Sequence, residues 1–254
     1  MNPVLSWITR PAGLLLIALC SFATGAWPAD GDPPESGSGA EPPPFKLSAG
    51  WYSFSGGTNA LDINLRQSST LGNLWFGYYE SGTRDEHQWR TGWDHTFEIE
   101  QVRFQPSLQF ASQGFAAYSV QVETGQTWFV GAGFGRTNLR PYWNLNFDPN
   151  DSYMLSAGKR SDSGESISLQ LVHDNRQNPD QRHIHLLYRT PRPGGERFTF
   201  DLLYKSGTVD DALVRRWGAS LAYDWPRLFV RLAYDPKVNF TPEDMWRVAV
   251  GTRF

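Results

Sequence analysis

Two histidines one residue apart, His183-Ile184-His185, are the most compact source of chemistry in this 254-residue chain. On an extended strand successive side chains alternate faces, so both imidazoles point the same way, a spacing that can hold a metal ion. Asp201, one strand further on, can add a carboxylate. Lumen-facing hydrogen bonding is the plainer use of such a pair and the expected one. No nucleophile accompanies the histidines. Two residues after His87, His95, His173, His183 and His185 stand Trp89, Phe97, Asn175, His185 and Leu187, so no His-x-Ser pair sets a hydroxyl beside a base. His173-Asp174 and Asp210-Asp211 supply an imidazole and acids, without a spacing that ties them to water activation. The acidic turn Asp148-Pro149-Asn150-Asp151 lacks the ligand spacing of a calcium loop and reads as a solvated turn. A further group is cationic: Arg216, Arg231 and Arg247 fall on three consecutive candidate strands.

These side chains sit in rows of strict period two. Apolar residues recur at every second place in Leu61-Ile63-Leu65, Leu74-Phe76-Tyr78 and Trp89-Thr91-Trp93, then in Val102 to Phe110, Ala116 to Val122 and Trp128 to Phe134. The rows continue through Trp143-Leu145-Phe147, Tyr153-Leu155-Ala157, Ile167-Leu169-Leu171 and Ile184-Leu186-Tyr188. Phe198 to Tyr204, Trp217 to Tyr223 and Leu228 to Tyr234 follow. Such alternation marks strands with one apolar and one polar face. A first strand near Lys46 to Phe54 and a last one at the end of the chain complete the set. No helical stripe of comparable length competes with them. The parity of the apolar row switches near Ile99-Glu100 with no Gly or Asn to turn on, so Trp89 to Phe110 reads as one long bulged strand.

The last strand, Met245 to Phe254, carries the clearest signal. Trp246, Val248, Val250, Thr252 and the terminal Phe254 fall around one apolar face with an aromatic at each end, while Arg247, Ala249, Gly251 and Arg253 form the other. Rings sit well at both lipid–water boundaries, which suits a strand that crosses a bilayer. This ending resembles the carboxy-terminal strand of bacterial outer-membrane β-barrel proteins, which typically close on Phe. The resemblance implies an all-β, transmembrane, antiparallel up-and-down barrel, with Trp246 and Phe254 as membrane-anchoring and assembly residues. It also implies outer-membrane lipid, lipopolysaccharide and the barrel-assembly machinery as partners, and a periplasmic amino-terminal tail.

The front of the chain fits export. Residues 1–26 read as a signal peptide: Arg10, the apolar run Leu14 to Leu19, then small residues up to Ala26. Cys20, the one cysteine of the sequence, lies within it, so no disulfide is expected in the mature chain. Residues 27–44, rich in Pro, Gly, Ser and acids, read as a disordered linker. Residues 45–254 read as the barrel. Of 23 Lys and Arg, Arg10 is removed with the signal, leaving 22 against 26 Asp and Glu, a net charge of −4. No basic run is present, which argues against nucleic acid. A negative mean hydropathy excludes a helical membrane protein but not a barrel, whose two faces average out.

The rows with the first and last strands make fifteen candidates, but closure with both termini on one side requires an even number, so the reading is about 14 strands, within a window of 12 to 16. Partners of the apolar rows face inward, among them Arg90, Arg103, Asn144, Asn146, His183, His185, Asp201, Arg216, Asp224, Arg231 and Arg247. Ion pairing could plug a narrow barrel, but at about 14 strands side chains need not fill the bore. Inward glycines at Gly131, Gly133, Gly135, Gly158 and Gly251 fit either a smooth conduit wall or room for rings such as Phe129, Tyr142 and Phe229. The loops opposite the termini look too modest for a large lid. The sequence therefore points to a porin-like passive channel for small polar or anionic solutes, with no cofactor implied. Arg90, Arg103, Asp201, Arg216, Asp224, Arg231 and Arg247 are its selectivity candidates. A lipid- or peptide-directed enzyme, or a closed structural barrel, are the competing readings.

Overall fold

The computed structural model describes residues 43–82, 86–143, 148–178, 180–209 and 211–254. The signal segment, residues 27–42 of the linker, and Asn144 and Asn146 lie outside the described residues. The alternating rows become β1 Phe45–Phe54, β2 Asn59–Ser69, β3 Gly72–Ser81, β4 Glu86–Asp94, β5 Phe97–Ile99, β6 Val102–Ala111, β7 Phe115–Thr124 and β8 Trp128–Thr137. They continue as β9 Ser152–Arg160, β10 Ser166–Asp174, β11 Arg182–Arg192, β12 Glu196–Val209, β13 Ala212–Asp224, β14 Leu228–Asp235 and β15 Met245–Arg253. Each pairs antiparallel with its neighbours in sequence, and β1 pairs with β15 from Lys46↔Arg253 to Phe54↔Met245. β4 pairs with β6 from Arg90↔Ala111 to Asp94↔Ser107, which completes the ring. β5 continues β4 after a break at His95-Thr96 and bonds only to β6, so the two share one place in a closed 14-strand wall.

Trp89 to Phe110 is thus a hairpin and not one bulged strand. The turn needs no Gly or Asn because Glu100 itself takes the left-handed conformation, at φ 54°. β8 bonds directly to β9 from Trp128↔Lys159 to Gly135↔Ser152, which leaves no place in the wall for the expected strand at Trp143–Phe147, of which only Trp143 is among the described residues. Removing that one row brings fifteen candidates to an even number.

Facing follows the period. Val230 and Leu232 are each 41% exposed on the outer face, while Phe229, Ala233 and Asp235 of the same strand are buried inside. Outward rings gather in two girdles. Near the end carrying both termini, Phe45 stacks on Phe254 at 5.8 Å, Tyr223 meets Trp225 at 4.8 Å and Phe97 meets Phe104 at 6.1 Å. Near the other end lie Tyr78–Trp89 at 4.3 Å, Tyr204–Trp217 at 4.8 Å and Tyr234–Trp246 at 4.7 Å. Between the girdles the exposed face is Leu, Ile and Val, including Ile63, Leu155, Leu169, Val230 and Val250. Apolar outside, polar inside and without an edge, this is the architecture of a transmembrane β-barrel.

Inward glycines make room for rings from the adjoining strand. A Cβ on Gly158 would come within 2.4 Å of the Phe129 ring, one on Gly251 within 2.2 Å of Phe229, and one on Gly92 within 2.5 Å of Trp75. Each glycine is the direct cross-strand partner of its ring. Of the two uses open to these residues, the wall adopts the packing one at Gly158 and Gly251.

Turns at the terminal end are short. At the opposite end, the connections 138–151 and 236–244 are longer, and Tyr142, Asp148, Val238 and Phe240 of their described residues are buried.

Placing a charge on the outer face of β14 tests this facing. Val230→Arg should cost about 2–4 kcal/mol of stability if it sits near the bilayer midplane. Arg231→Ala, on the inner face, should cost less than half of that in refolding titrations; the reverse order would mean the register is wrong.

Candidate functional site in the barrel interior

The interior charges named from the sequence are mostly tied into ion pairs. Arg90 reaches across β3 to Asp62 of β2, passing over Gly77, which is the cross-strand neighbour of both Arg90 and Asn64. At the terminal end, Arg103 bonds Glu98 at 3.0 Å and approaches Glu123 at 3.6 Å, while Arg160 donates to Glu123 at 2.7 Å. Asp224 accepts from Arg253 at 2.6 Å and lies 3.6 Å from Arg197. Arg253 and Arg197 are functional candidates that the sequence reading did not single out.

The three arginines expected to form one patch do not all meet. Arg231 faces Ala249 across the β14–β15 ladder and Arg247 faces Ala233, which makes the two arginines diagonal neighbours with Cα atoms about 7–8 Å apart. Their guanidinium groups lie over rings, Arg231 at 5.1 Å from Phe229 and Arg247 at 5.9 Å from Tyr52. Arg216 is exposed and donates to the Arg215 carbonyl at 2.8 Å. Its strand outruns β14: Ala219 is the partner of Tyr234, and residues before it pair only with β12. Arg216 therefore stands six residues beyond the level of Arg231, about 20 Å along the strands. The same extension holds residues 206–209 of β12 in strand pairing with β13.

A second group is centred on the residue pair that opened the sequence analysis. His183 Nδ1 lies 3.0 Å from Asp148 Oδ1, and His185 Nε2 lies 2.9 Å from the same oxygen. His185 Nδ1 lies 3.0 Å from Asp201 Oδ2. All four residues are buried. An imidazole facing carboxylates through both nitrogens must donate from both, so with ionised acids His185 is the imidazolium. Burial alone would raise the Asp148 carboxyl; His185 and His183, by charge and hydrogen bonding, outweigh it and hold Asp148 well below the usual carboxylate range. Next to this group Lys205 is buried in an ion pair with Asp235 and donates to the Lys237 carbonyl at 2.9 Å. Phe240 stacks on His183 at 5.6 Å, in space left by Gly207, where a Cβ would come within 3.0 Å of its ring. The turn that delivers Phe240 has Lys237, Asn239 and Phe240 itself in the left-handed region, a conformation that costs a non-glycine residue about 1–2 kcal/mol.

Asp148 is no solvated outer turn: it belongs to the β8–β9 connection, which folds inward. Tyr142 stacks on Phe115 of β7 at 4.3 Å, and Trp143 stacks on Tyr79 of β3 at 6.1 Å. Gln88 of β4 grips the backbone twice, donating to the Pro141 carbonyl at 3.0 Å and accepting from the Trp143 N–H at 2.8 Å. The base of the connection is fixed by Asp151, which accepts from Thr137 N at 3.1 Å, Thr137 Oγ1 at 2.7 Å and Arg176 at 3.2 Å. In the ring of strands β3 and β4 lie almost opposite β11 and β12. Trp143 is anchored to the first wall and Asp148 to the second. Five residue steps join them, which can span at most about 16–18 Å. Trp143 and Asp148, the described residues on either side of 144–147, are thus held to opposite walls. Tyr52, Ala60, Tyr79, Leu203, Ala233, Val238 and Met245 form an apolar cluster that Trp143 joins. Loops that looked too modest for a lid do occupy the interior.

No family model matches the chain, and no curated protein matches it in sequence. Solved structures resemble it in outline. The outer membrane protein Omp33 of Acinetobacter baumannii aligns with a TM-score of 0.49 at 10% identity, over 84% of this chain and 98% of that one. The NanC porin aligns with a TM-score of 0.44 at 10% identity, over 82% and 100%. A Rhodopseudomonas blastica porin variant gives 0.46 at 9%, over 83% and 99%. The likeness is of the coarsest kind. The fold described above rests on the strand pairings themselves.

The Gln88 contacts make a local prediction. Gln88→Ala removes both of its backbone bonds on the β4 side and should cost about 1–3 kcal/mol, loosening residues 138–143. Limited proteolysis from the long-loop side should then cut this segment several-fold faster than in the unsubstituted barrel; equal rates would mean that Gln88 does not hold it.

Proposed function

We propose that this chain is a passive channel of the bacterial outer membrane for small polar or anionic solutes, with its amino-terminal tail in the periplasm. The observation that carries the reading is a 14-strand wall inside which Trp143 and Asp148, from one connection, are held to opposite sides. A ring of that size has a bore wider than its own side chains fill, and inward groups held at opposite sides narrow it to a passage of molecular dimensions. Periplasmic placement of the termini is supported by the loops: short turns lie at the terminal end and longer connections at the other, as expected for such barrels. Lipid and lipopolysaccharide contact the girdled outer face, and the assembly machinery reads the closing strand with Trp246 and Phe254.

Preference for anions follows from the seam. Arg231 and Arg247 project inward from adjacent strands at positions flanked by Ala222, Ala249 and Ala233, with their guanidinium groups over Phe229 and Tyr52 and Arg247 beside Asp62. Arg90, Arg103 and Asp224 are engaged in the ion pairs described above and shape the wall. Cationic groups at a constriction attract anions, and low-dielectric walls strengthen their field. The packed apolar cluster beside Trp143 favours a second reading, a closed structural barrel.

Single-channel recording in planar bilayers separates the two. The refolded protein should give small conductance steps and a reversal potential showing weak anion preference in a salt gradient. Replacing both Arg231 and Arg247 with Ser should reduce or reverse that preference. Cation preference in the unsubstituted protein would overturn the selectivity argument, and absence of any conductance would favour the closed barrel.

A further inference from the structure

The group around Asp148 has features that hydrogen bonding alone does not require. Its donor atoms are already gathered: one oxygen of Asp148 is 3.0 Å from His183 Nδ1 and 2.9 Å from His185 Nε2, and ligand atoms of all three residues lie within 4.8 Å of one another. Around a tetrahedral zinc ion at 2.0–2.1 Å, ligand atoms stand about 3.3 Å apart. The two contacts of Asp148 are within a few tenths of an ångström of that spacing, and the two imidazoles are near enough to close on one ion. Asp201 holds the other nitrogen of His185 at 3.0 Å. A carboxylate in that place fixes the tautomer that presents Nε2 to a metal and raises its basicity.

Burial and charge point to a cation. His183 is 1% exposed, and Nδ1, the nitrogen it turns to Asp148, is its one hydrogen-bonded nitrogen among the described residues. The charge balance points the same way. Asp148, Asp201 and Asp235 are buried together with Lys205, which sets three carboxylates against one ammonium. Buried charge is costly unless compensated. A divalent ion held by Asp148, His183 and His185 would offset two of these negative charges.

We propose that Asp148, His183 and His185 form a binding site for a borderline divalent metal ion of the zinc class, with Asp201 orienting His185. The ion joins residues from two elements, β11 and the β8–β9 connection, and so fastens that connection to the wall opposite Gln88. Imidazole and carboxylate donors suit zinc, copper or nickel better than magnesium or calcium, which prefer oxygen alone. An open fourth position would be filled by water or by a solute passing through the bore. The site does not depend on the channel reading, because binding is measured without any conductance.

The test uses the refolded full barrel without a polyhistidine tag, with heat-modified gel mobility confirming closure of every variant. Titration calorimetry with Zn2+ should show one site per chain that is lost in His185→Gln and Asp148→Asn. It should weaken about 10–100-fold in Asp201→Asn, which keeps all three ligands. Co2+ should give the visible absorption of a tetrahedral site in the unsubstituted protein and not in His185→Gln. A variant with His87, His95 and His173 replaced by Gln should bind as the unsubstituted protein does. Absence of binding by the closed barrel, affinity indifferent to His185→Gln and Asp201→Asn, or loss of binding in the triple surface variant would each overturn the proposal.

Discussion

A strand in a bilayer has no water with which to satisfy its backbone, so every N–H and C=O at lipid depth must find a partner in the sheet. That constraint makes the β1–β15 ladder the interaction on which the rest of this structure depends. Without it the ring has two open edges. With it the sheet closes, both termini fall at one end, and the alternation along each strand is converted into an apolar exterior and a charged interior. The Phe45–Phe254 stack lies at the foot of this seam, where backbone bonds in both directions join the two residues at 3.0 Å.

Once the wall is closed, the interior has to be filled or balanced. Ion pairs such as Arg90–Asp62 and Arg253–Asp224 hold neighbouring strands from within, and glycines let Phe129, Phe229 and Trp75 lie flat across the wall. At the long-loop end the filling comes from connections. Residues 138–151 and 236–244 carry Trp143, Val238 and Phe240 inward, where they meet wall residues in an apolar cluster and around His183. Burying those rings offsets the left-handed backbone at Lys237, Asn239 and Phe240.

The wall was legible in the sequence because a period of two is a local property. Val230 against Arg231 can be read from three adjacent residues, and the side each one faces follows. What the connections carry inward was not. Trp143, Leu145 and Phe147 alternate just as a wall strand does, yet Trp143 stacks on Tyr79, whose position depends on ring closure. The odd number of rows was the sign that one did not belong, and Pro141 and Pro149 bracket it. Asp148 could not be assigned either, since its partners His183 and His185 lie more than thirty residues away in sequence. Arg216 was misplaced for a different reason: its strand outlasts the neighbour that would have held it in the wall, and length mismatch between strands does not show in alternation.

The central claim is that the β8–β9 connection narrows the passage, and excising it is the most direct test. β8 and β9 are already bonded up to Gly135 and Ser152, so residues 138–151 can be replaced by Asn-Gly, which leaves a four-residue Arg136-Thr137-Asn-Gly hairpin loop without opening the wall. Single-channel conductance of the shortened barrel should rise several-fold over the full chain. An unchanged conductance in a correctly closed barrel would contradict the account.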